Sequence, residues 1–195
     1  MQPYKPKGYW TERGKEYPKE FTEKYGLYAR TRFKILQYAL ILTLKTLDFD
    51  SVLDVGCGFG RIIRRVLQKF GDVRITGLDF SKTMLENARH YVRKDVKLVY
   101  GDASRMPFKD ASFDLVLSNE VLLHVPPSKI GKVRSEMARV ARKYIVMVEF
   151  YTPVKEKLER HCFNHDHKTA FEKMGFEVKR RNIPTYRQHI YVVRK

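Results

Sequence analysis

Short apolar runs alternate with stretches of helical periodicity through the middle of the chain. Runs rich in β-branched residues and leucine predict strands at 51–56, 73–79, 96–100, 113–118 and 143–150. Apolar positions at helical spacing predict helices at 27–47, 60–70, 82–93 and 128–141. Two further runs, 176–183 and 188–193, predict a terminal hairpin. The sequence therefore predicts an α/β fold: a doubly wound, mostly parallel seven-stranded sheet with helices on both faces and an antiparallel C-terminal hairpin.

A glycine-rich turn joins the first predicted strand to the helix that follows it. The stretch 51–61 reads S-V-L-D-V-G-C-G-F-G-R. Gly56 and Gly58 let the backbone turn sharply and let a ligand lie against it without a Cβ in the way. The dinucleotide fingerprint fails because its third glycine position holds Arg61, and no Gly-Lys-Ser/Thr follows to make a phosphate loop. We therefore predict that a small polar ligand binds at this turn.

Polar residues follow each of the next three predicted strands. Asp79 ends the second strand and lies beside the glycine turn in a parallel sheet, where its carboxylate can accept both hydroxyls of a ribose. Gly101-Asp102-Ala103 follows the third strand, and Ser118-Asn119-Glu120 follows the fourth. Ser81 is the predicted N-cap of the helix after Asp79.

These motifs resemble those of a known enzyme family. D-V-G-C-G-F-G, with an acid before the first glycine, resembles motif I of the class I, Rossmann-like S-adenosylmethionine-dependent methyltransferases. The phrase G-D-A-x-x-M-P-F-x-D-x-S-F-D-L-V resembles the type 11 subgroup, which includes quinone-biosynthesis methyltransferases. The resemblance covers about residues 51–150 and implies a methyltransferase with S-adenosyl-L-methionine as its cofactor.

The resemblance also implies roles for individual residues. Asp54, Gly56 and Gly58 match the positions that shape the methionine side of the cofactor site, although Asp54 would also serve simply to hold the loop backbone. Asp79 matches the ribose-binding acid, and Phe80 would lie beside the adenine.

The remaining implied cofactor contacts lie farther along the chain and near the first helix. Asp102 would accept a hydrogen bond from the adenine amino group, and the Ala103 N–H would face a ring nitrogen. Asn119 would line the methyl-transfer end of the site. Arg32 is a candidate contact for the methionine carboxylate, with a surface arginine as the alternative interpretation.

His124 is the catalytic candidate, because relatives often carry a histidine near the substrate after the fourth strand. A general base with a pKa near neutrality suits this position, and a histidine that only packs there is an equal alternative. Glu120 and the stretch Glu149–Tyr151 are further candidates for the substrate side. A histidine-rich segment, 161–167, is interpreted as a substrate-side loop or helix cap, and no metal site is expected.

The chain is predicted to form a single methyltransferase domain over residues 1–195. Residues 1–26 form an N-terminal arm or cap, 27–150 the cofactor-binding core, and 151–195 the C-terminal helix and hairpin. Without a membrane-spanning apolar run or a signal-peptide core, the expected location is cytoplasmic and no membrane insertion is expected. The two cysteines are expected to be reduced.

A net charge of +17 raises the question of nucleic acid as a partner. The basic excess is spread along the whole chain, which also fits the charged surface of a thermophile-like protein. A small-molecule acceptor is therefore the leading hypothesis. An RNA or ribosome-associated methyltransferase is the second, and a non-catalytic cofactor-binding subunit that activates a partner is the third. The acceptor atom and the oligomeric state stay open.

Overall fold

The described strands form one sheet in the order β3-β2-β1-β4-β5-β7-β6. The computed structural model describes residues 4–20, 27–154, 158–183 and 187–195. The strands are β1 (Ser51–Val55), β2 (Arg74–Asp79), β3 (Lys97–Tyr100), β4 (Phe113–Asn119), β5 (Ala141–Phe150), β6 (Glu177–Ile183) and β7 (Gln188–Arg194). Neighbours from β3 to β5 run parallel, whereas β7 is antiparallel to both β5 and β6. The predicted sheet and its C-terminal hairpin are confirmed.

Helices cover both faces of this sheet. They are α1 (Pro6–Arg13), α2 (Tyr17–Lys19), α3 (Leu27–Leu44), α4 (Arg61–Phe70), α5 (Lys82–Tyr91), α6 (Pro127–Val140) and α7 (His167–Glu172). One apolar cluster joins α3, α4 and α5 to alternate residues of the strands, such as Val52 and Leu115. The other cluster joins α6 and α7 to the intervening residues of the same strands, such as Leu53 and Val116. Because β1 is buried along its whole length, its apolar residues, Val52, Leu53 and Val55, do not alternate with exposed polar ones.

The junction between α6 and β5 differs from the prediction. The sequence predicts a helix to 141 and a strand from 143, but α6 ends at Val140 and β5 begins directly at Ala141. Ala141 pairs with Phe113 of β4, and the Arg142 guanidinium donates to the Asp114 carboxylate at 2.9 Å. Tertiary pairing therefore overrides the helical preference of these two residues.

A loop, rather than a covering helix, connects β3 to β4, as predicted. Arg139 of α6 donates to the carbonyls of Phe108 and Met106 at 2.8 and 3.1 Å. Glu136 accepts from the Met106 N–H at 2.6 Å and from Arg139 at 2.7 Å. These charge-assisted bonds fix the short connection against α6.

Asp114 ties three strands together at the amino edge of the sheet. One carboxylate oxygen accepts from the N–H groups of Asp50 and Ser51 and from the Ser51 hydroxyl, at 3.0–3.2 Å. The other accepts from Arg142 of β5. Burial raises the pKa of Asp114, but the hydrogen bonds from Asp50 and Ser51 and the charges of Lys143 and Arg142 outweigh it, so the pKa lies below its usual value.

None of the helices in the described ranges is both long enough and apolar enough to cross a membrane.

We expect Asp114→Asn to lower the free energy of unfolding by about 2–3 kcal/mol, because an amide cannot accept from donors on both sides. A folded pKa below the unfolded value stabilises the native state above the unfolded pKa, and this stabilisation is lost as the pH falls. Urea unfolding at about pH 7 and about pH 3 therefore shows a difference between variant and wild type that shrinks in acid. Asp95→Asn, on an exposed side chain, is the control, and an equal loss in both variants would contradict the role of Asp114.

Candidate active site

The loops after β1, β2 and β3 meet at the carboxyl edge of the sheet. The N–H groups of Gly56 and Cys57 donate to the Leu78 carbonyl at 2.7 and 3.0 Å. The Gly101 N–H donates to the Asp79 carbonyl at 3.0 Å. The strand order reverses between β1 and β4, and α/β sheets bind ligands in the crevice at such a point.

The two predicted glycines of the turn have different surroundings. Gly56 has φ +71°, and a Cβ there would lie 2.5 Å from Val121, so the loop after β4 packs directly on the turn. Gly58 has φ +53°, and a Cβ there would meet only the Met84 sulfur at 4.0 Å. Gly56 therefore serves close packing, whereas Gly58 presents open backbone to the crevice.

Asp79 lies beside the glycine turn, as predicted. Its carboxylate accepts from the Gly58 N–H at 2.9 Å and from the Ser81 N–H at 2.8 Å. Burial raises the pKa of Asp79, and the backbone N–H groups of Ser81, Gly58 and Phe80 oppose this rise. Ser81 caps α5 by accepting from the Met84 N–H, which confirms the predicted N-cap.

Two buried polar side chains near the turn have atoms without a hydrogen-bond partner among the described residues. They are Oδ2 of Asp54, in β1, and both amide atoms of Asn119, at the end of β4. Burial raises the pKa of Asp54 to about 8, and the nearby charge of Arg61 lowers it. Because buried polar atoms are normally paired, these atoms suit a polar ligand at the carboxyl edge.

The residues predicted for the adenine side follow β2 and β3, near Asp79 at the carboxyl edge of the sheet. Asp102 accepts from the N–H and the hydroxyl of Ser104 at 2.8 and 2.7 Å, and Lys129 lies 3.8 Å from its second oxygen. Phe80 and Ala103 are half-buried. Burial raises the pKa of Asp102, but the hydrogen bonds from Ser104 and the charge of Lys129 outweigh it, so the pKa lies below its usual value.

Arg32 contacts a carboxylate of the protein itself. Its guanidinium lies 2.6 Å from Glu120, and Gln188 donates to the same Glu120 oxygen at 3.1 Å. Glu120 has φ +56°, an uncommon backbone conformation for a residue other than glycine. Glu120 is thus one partner of Arg32 in the structure, and the contact of Arg32 with the cofactor's carboxylate stays a prediction.

His124 ends a 3₁₀ turn, Leu122–His124, and is half-buried. Its Nδ1 lies 2.8 Å from the His161 carbonyl oxygen and 3.8 Å from the Cys162 sulfur. Burial lowers the pKa of His124 to about 4, the His161 carbonyl raises it and the His161 charge lowers it. The expectation of a pKa near neutrality is therefore wrong, because the packed surroundings disfavour the imidazolium.

The N-terminal arm lies across two sides of the crevice. The Trp10 carbonyl accepts from the Ser81 hydroxyl at 3.3 Å, and the Gly14 carbonyl accepts from Asn87 of α5 at 2.8 Å. On the other side, the Trp10 ring lies 4.8 Å from the His124 ring. The aromatics of the arm therefore pack on the domain, which is one of the two predicted alternatives.

Glu149, a substrate-side candidate in the sequence, is fully buried in the structure and bonds the loop after β4 instead. Its buried carboxylate accepts from the Ser118 hydroxyl and from the N–H groups of Val121, Leu122 and Leu123, at 3.0–3.2 Å. Burial raises the pKa of Glu149 to about 7, and these N–H groups and the hydroxyl lower it. An acid within the apolar run V-M-V-E-F was the available signal, because a buried charge needs such partners.

The histidine-rich segment separates into two parts. His161 and Cys162 lie against His124, whereas His165 bonds the Val125 carbonyl at 2.9 Å and His167 lies 3.3 Å from the Arg134 guanidinium. Asp166 accepts from the Thr169 N–H as the N-cap of α7, which confirms the helix-cap interpretation for that residue.

The fold is Rossmann-like, and the crevice lies at the carboxyl edge of its parallel strands, where such sheets bind ligands. Residues 52–144 match the family model of the methyltransferase domain. This part of the chain is similar to that family, and a solved methyltransferase of this fold contains bound S-adenosyl-L-methionine. The unpartnered atoms of Asp54 and Asn119 and the open face of Gly58 fit such a cofactor.

Curated relatives match about half of the chain. A sterol 24-C-methyltransferase of Neurospora crassa is 41% identical over 97 residues, which is 47% of this chain and 25% of that protein. A malonyl-[acyl-carrier protein] O-methyltransferase of Legionella pneumophila is 36% identical over 110 residues, 55% of this chain and 36% of that protein. The chain therefore spans about a quarter to a third of the length of these relatives.

Solved structures share the fold over the whole chain. Magnesium protoporphyrin IX methyltransferase of Synechocystis, with bound SAH, has a TM-score of 0.77 at 16% identity and covers 97% of each chain. A methyltransferase of Haloferax volcanii, in complex with the Trm112 activator, has a TM-score of 0.75 at 19% identity and covers 100% of this chain and 99% of that one. At these identities the likeness establishes the fold, and the type 11 subgroup stays a prediction.

We expect Glu149→Gln to lower the free energy of unfolding by about 2–3 kcal/mol, because one side-chain acceptor becomes a donor that faces backbone N–H groups. The loop after β4 also becomes less protected, which amide hydrogen exchange at Val121–Leu123 measures. Glu86→Gln, on an exposed side chain of α5, is the control. Unchanged protection in the Glu149 variant would contradict the proposed restraint on the loop.

Proposed function

We propose that the chain is an enzyme that transfers the methyl group of S-adenosyl-L-methionine to a small-molecule acceptor. The observation that carries this proposal is the crevice itself, where unpartnered Asp54 and Asn119 atoms flank the open Gly58 backbone. The names of the sequence relatives support a small acceptor, since they include a sterol methyltransferase and a rifamycin methyltransferase. In this proposal the whole chain, 1–195, is one methyltransferase domain in the cytoplasm.

The proposed cofactor-contact roles are those that the motif resemblance implies for each residue. Asp54 and the turn glycines lie on the methionine side, where the cofactor's positive charge would favour the ionised form of Asp54 over the protonated form that burial favours. The Asp79 carboxylate already accepts hydrogen bonds from two N–H groups, and it also accepts hydrogen bonds from the ribose hydroxyls. Asp102, with Ala103 and Phe80, holds the adenine.

Arg32 is proposed to bind the cofactor's carboxylate while it keeps Glu120 as a second partner. A guanidinium has five N–H donors in a fixed fork, so it can serve two carboxylates. The contact with Glu120 uses the Nη2 end of that fork.

Alignment, rather than proton transfer, is proposed to dominate the reaction. The cofactor supplies an activated sulfonium methyl group, so the protein's main task is to hold donor and acceptor in line in a dry pocket. Asn119 lines the methyl-transfer end. His124, the catalytic candidate, is neutral at pH 7 with a pKa of about 4, and we propose that it positions the acceptor as a hydrogen-bonding group.

The N-terminal arm is proposed to cap the site, because its contacts bridge α5 and the His124 turn. An RNA acceptor, which the net charge of +17 suggested, is retained as the second hypothesis and an activating subunit as the third. An acceptor screen with purified chain therefore includes bulk tRNA at low and high salt, because RNA affinity falls steeply with salt. Turnover on any acceptor excludes the non-catalytic subunit.

We expect Asp79→Ala to abolish micromolar binding of S-adenosyl-L-methionine and of its demethylated product in a calorimetric titration. The carboxylate holds the turn through Gly58 and is the proposed ribose acceptor. Asp72→Ala, on an exposed residue before β2, is the matched control and keeps wild-type affinity. Retained affinity in the Asp79 variant would contradict the assigned site.

A second prediction separates the ligand from backbone strain. Gly58→Ala and Gly175→Ala both place a Cβ on a left-handed residue, at φ +53° and +88°, without a close contact from the protein. Each is expected to cost about 1–2 kcal/mol of unfolding free energy. Only Gly58→Ala is expected to weaken cofactor binding, by about tenfold or more, because its Cβ enters the crevice. Equal binding in the two variants would place the cofactor elsewhere.

A further inference from the structure

Two histidines and a cysteine from distant parts of the chain lie together beneath the arm. We name His124, His161 and Cys162 the His124 cluster. One ligand atom from each residue lies within 4.8 Å of the other two, and all three residues are half-buried. The two imidazole rings stack at 5.2 Å with an interplanar angle of 18°. The cluster thus combines three metal-binding side chains with access from solvent.

The backbone around the cluster is fixed from two sides. His124 belongs to the turn whose N–H groups bind the buried Glu149 carboxylate. The Phe163 N–H donates to the Leu123 carbonyl at 2.7 Å, which joins the segment after β5 to that turn. The Cys162 N–H donates to the Glu159 carbonyl at 2.8 Å. Preorganised backbone of this kind reduces the ordering cost of binding an ion.

We propose that the His124 cluster binds a borderline-soft divalent cation, with Zn²⁺ as the best match. Two imidazoles and a thiolate are ligands that zinc prefers, at about 2.0–2.1 Å for nitrogen and about 2.3 Å for sulfur. In a tetrahedron these lengths separate nitrogen and sulfur by about 3.6 Å. His124 Nδ1 and Cys162 Sγ are 3.8 Å apart. The proposal differs from the expectation, drawn from the sequence, of no metal site.

Binding exchanges bonds that are identifiable in the structure. Ligation through Nδ1 of His124 replaces its hydrogen bond to the His161 carbonyl, with the ring proton moving from Nδ1 to Nε2. The Cys162 thiol releases its proton to solvent as the metal–sulfur bond forms. Glu159 lies 3.4 Å from Nε2 of His161, where a carboxylate orients a ligating imidazole. Water or another donor takes the fourth position.

The test uses the full chain, without a polyhistidine tag and stripped of metal, titrated with Co²⁺ and then with competing Zn²⁺. We expect one Co²⁺ per chain with a thiolate-to-cobalt charge-transfer band and tetrahedral d–d absorption. Fluorescence of Trp10, the one tryptophan of the sequence, is expected to be quenched, since its ring lies 4.8 Å from the His124 ring. Zn²⁺ is expected to remove the band and to raise the melting temperature.

Variants identify the ligands. Cys162→Ser is expected to remove the charge-transfer band, His161→Asn to remove the tetrahedral absorption, and Glu159→Gln to weaken binding by about tenfold. His90→Asn, on an exposed histidine of α5, is the control and leaves all signals unchanged. The Glu159 and His161 variants keep the test decisive if Cys162→Ser does not fold. Absence of the band in the wild type, or a band that survives in folded Cys162→Ser, would overturn the proposal.

Discussion

A buried carboxylate determines the position of the loop on which the site depends. Glu149 lies inside the sheet, where an isolated charge would be costly, and the three successive N–H groups and one hydroxyl that it accepts offset that cost. The loop so held sets Val121 against Gly56 and brings His124 to the segment after β5. One acid in β5 therefore fixes the geometry between the glycine turn and the segment after β5.

The amino and carboxyl edges of the sheet follow the same physical logic. At the amino edge, Asp114 accepts from the start of β1 and from Arg142, and at the carboxyl edge Asp79 accepts from the turn after β1. Each acid joins neighbouring strands through donors that cannot pair within the ladder. These acids let a parallel sheet end in short loops that keep the crevice open at its switch point.

Much of this arrangement was predictable from the sequence. The buried strands have long apolar runs, and Gly58 and Asp79 follow them at fixed positions, so the sheet and the turn were predicted correctly. The strand conformation of Ala141 was not predicted. Ala141 locally favours a helix, and its pairing with Phe113 is a tertiary contact. The pKa of His124 could not be predicted from the sequence either. It depends on burial by Trp10 and His161, which are distant from His124 in the sequence.

The Arg32–Glu120–Gln188 contacts have a consequence for communication within the domain. Glu120 holds a left-handed backbone conformation, and both donors that restrain it reach the same oxygen. A second carboxylate bound at Arg32 beside Glu120 would share that guanidinium and so weaken the restraint on Glu120, the residue that leads into the His124 turn. Binding on the α3 side of the crevice would thereby be coupled in free energy to the conformation of the loop on its opposite side.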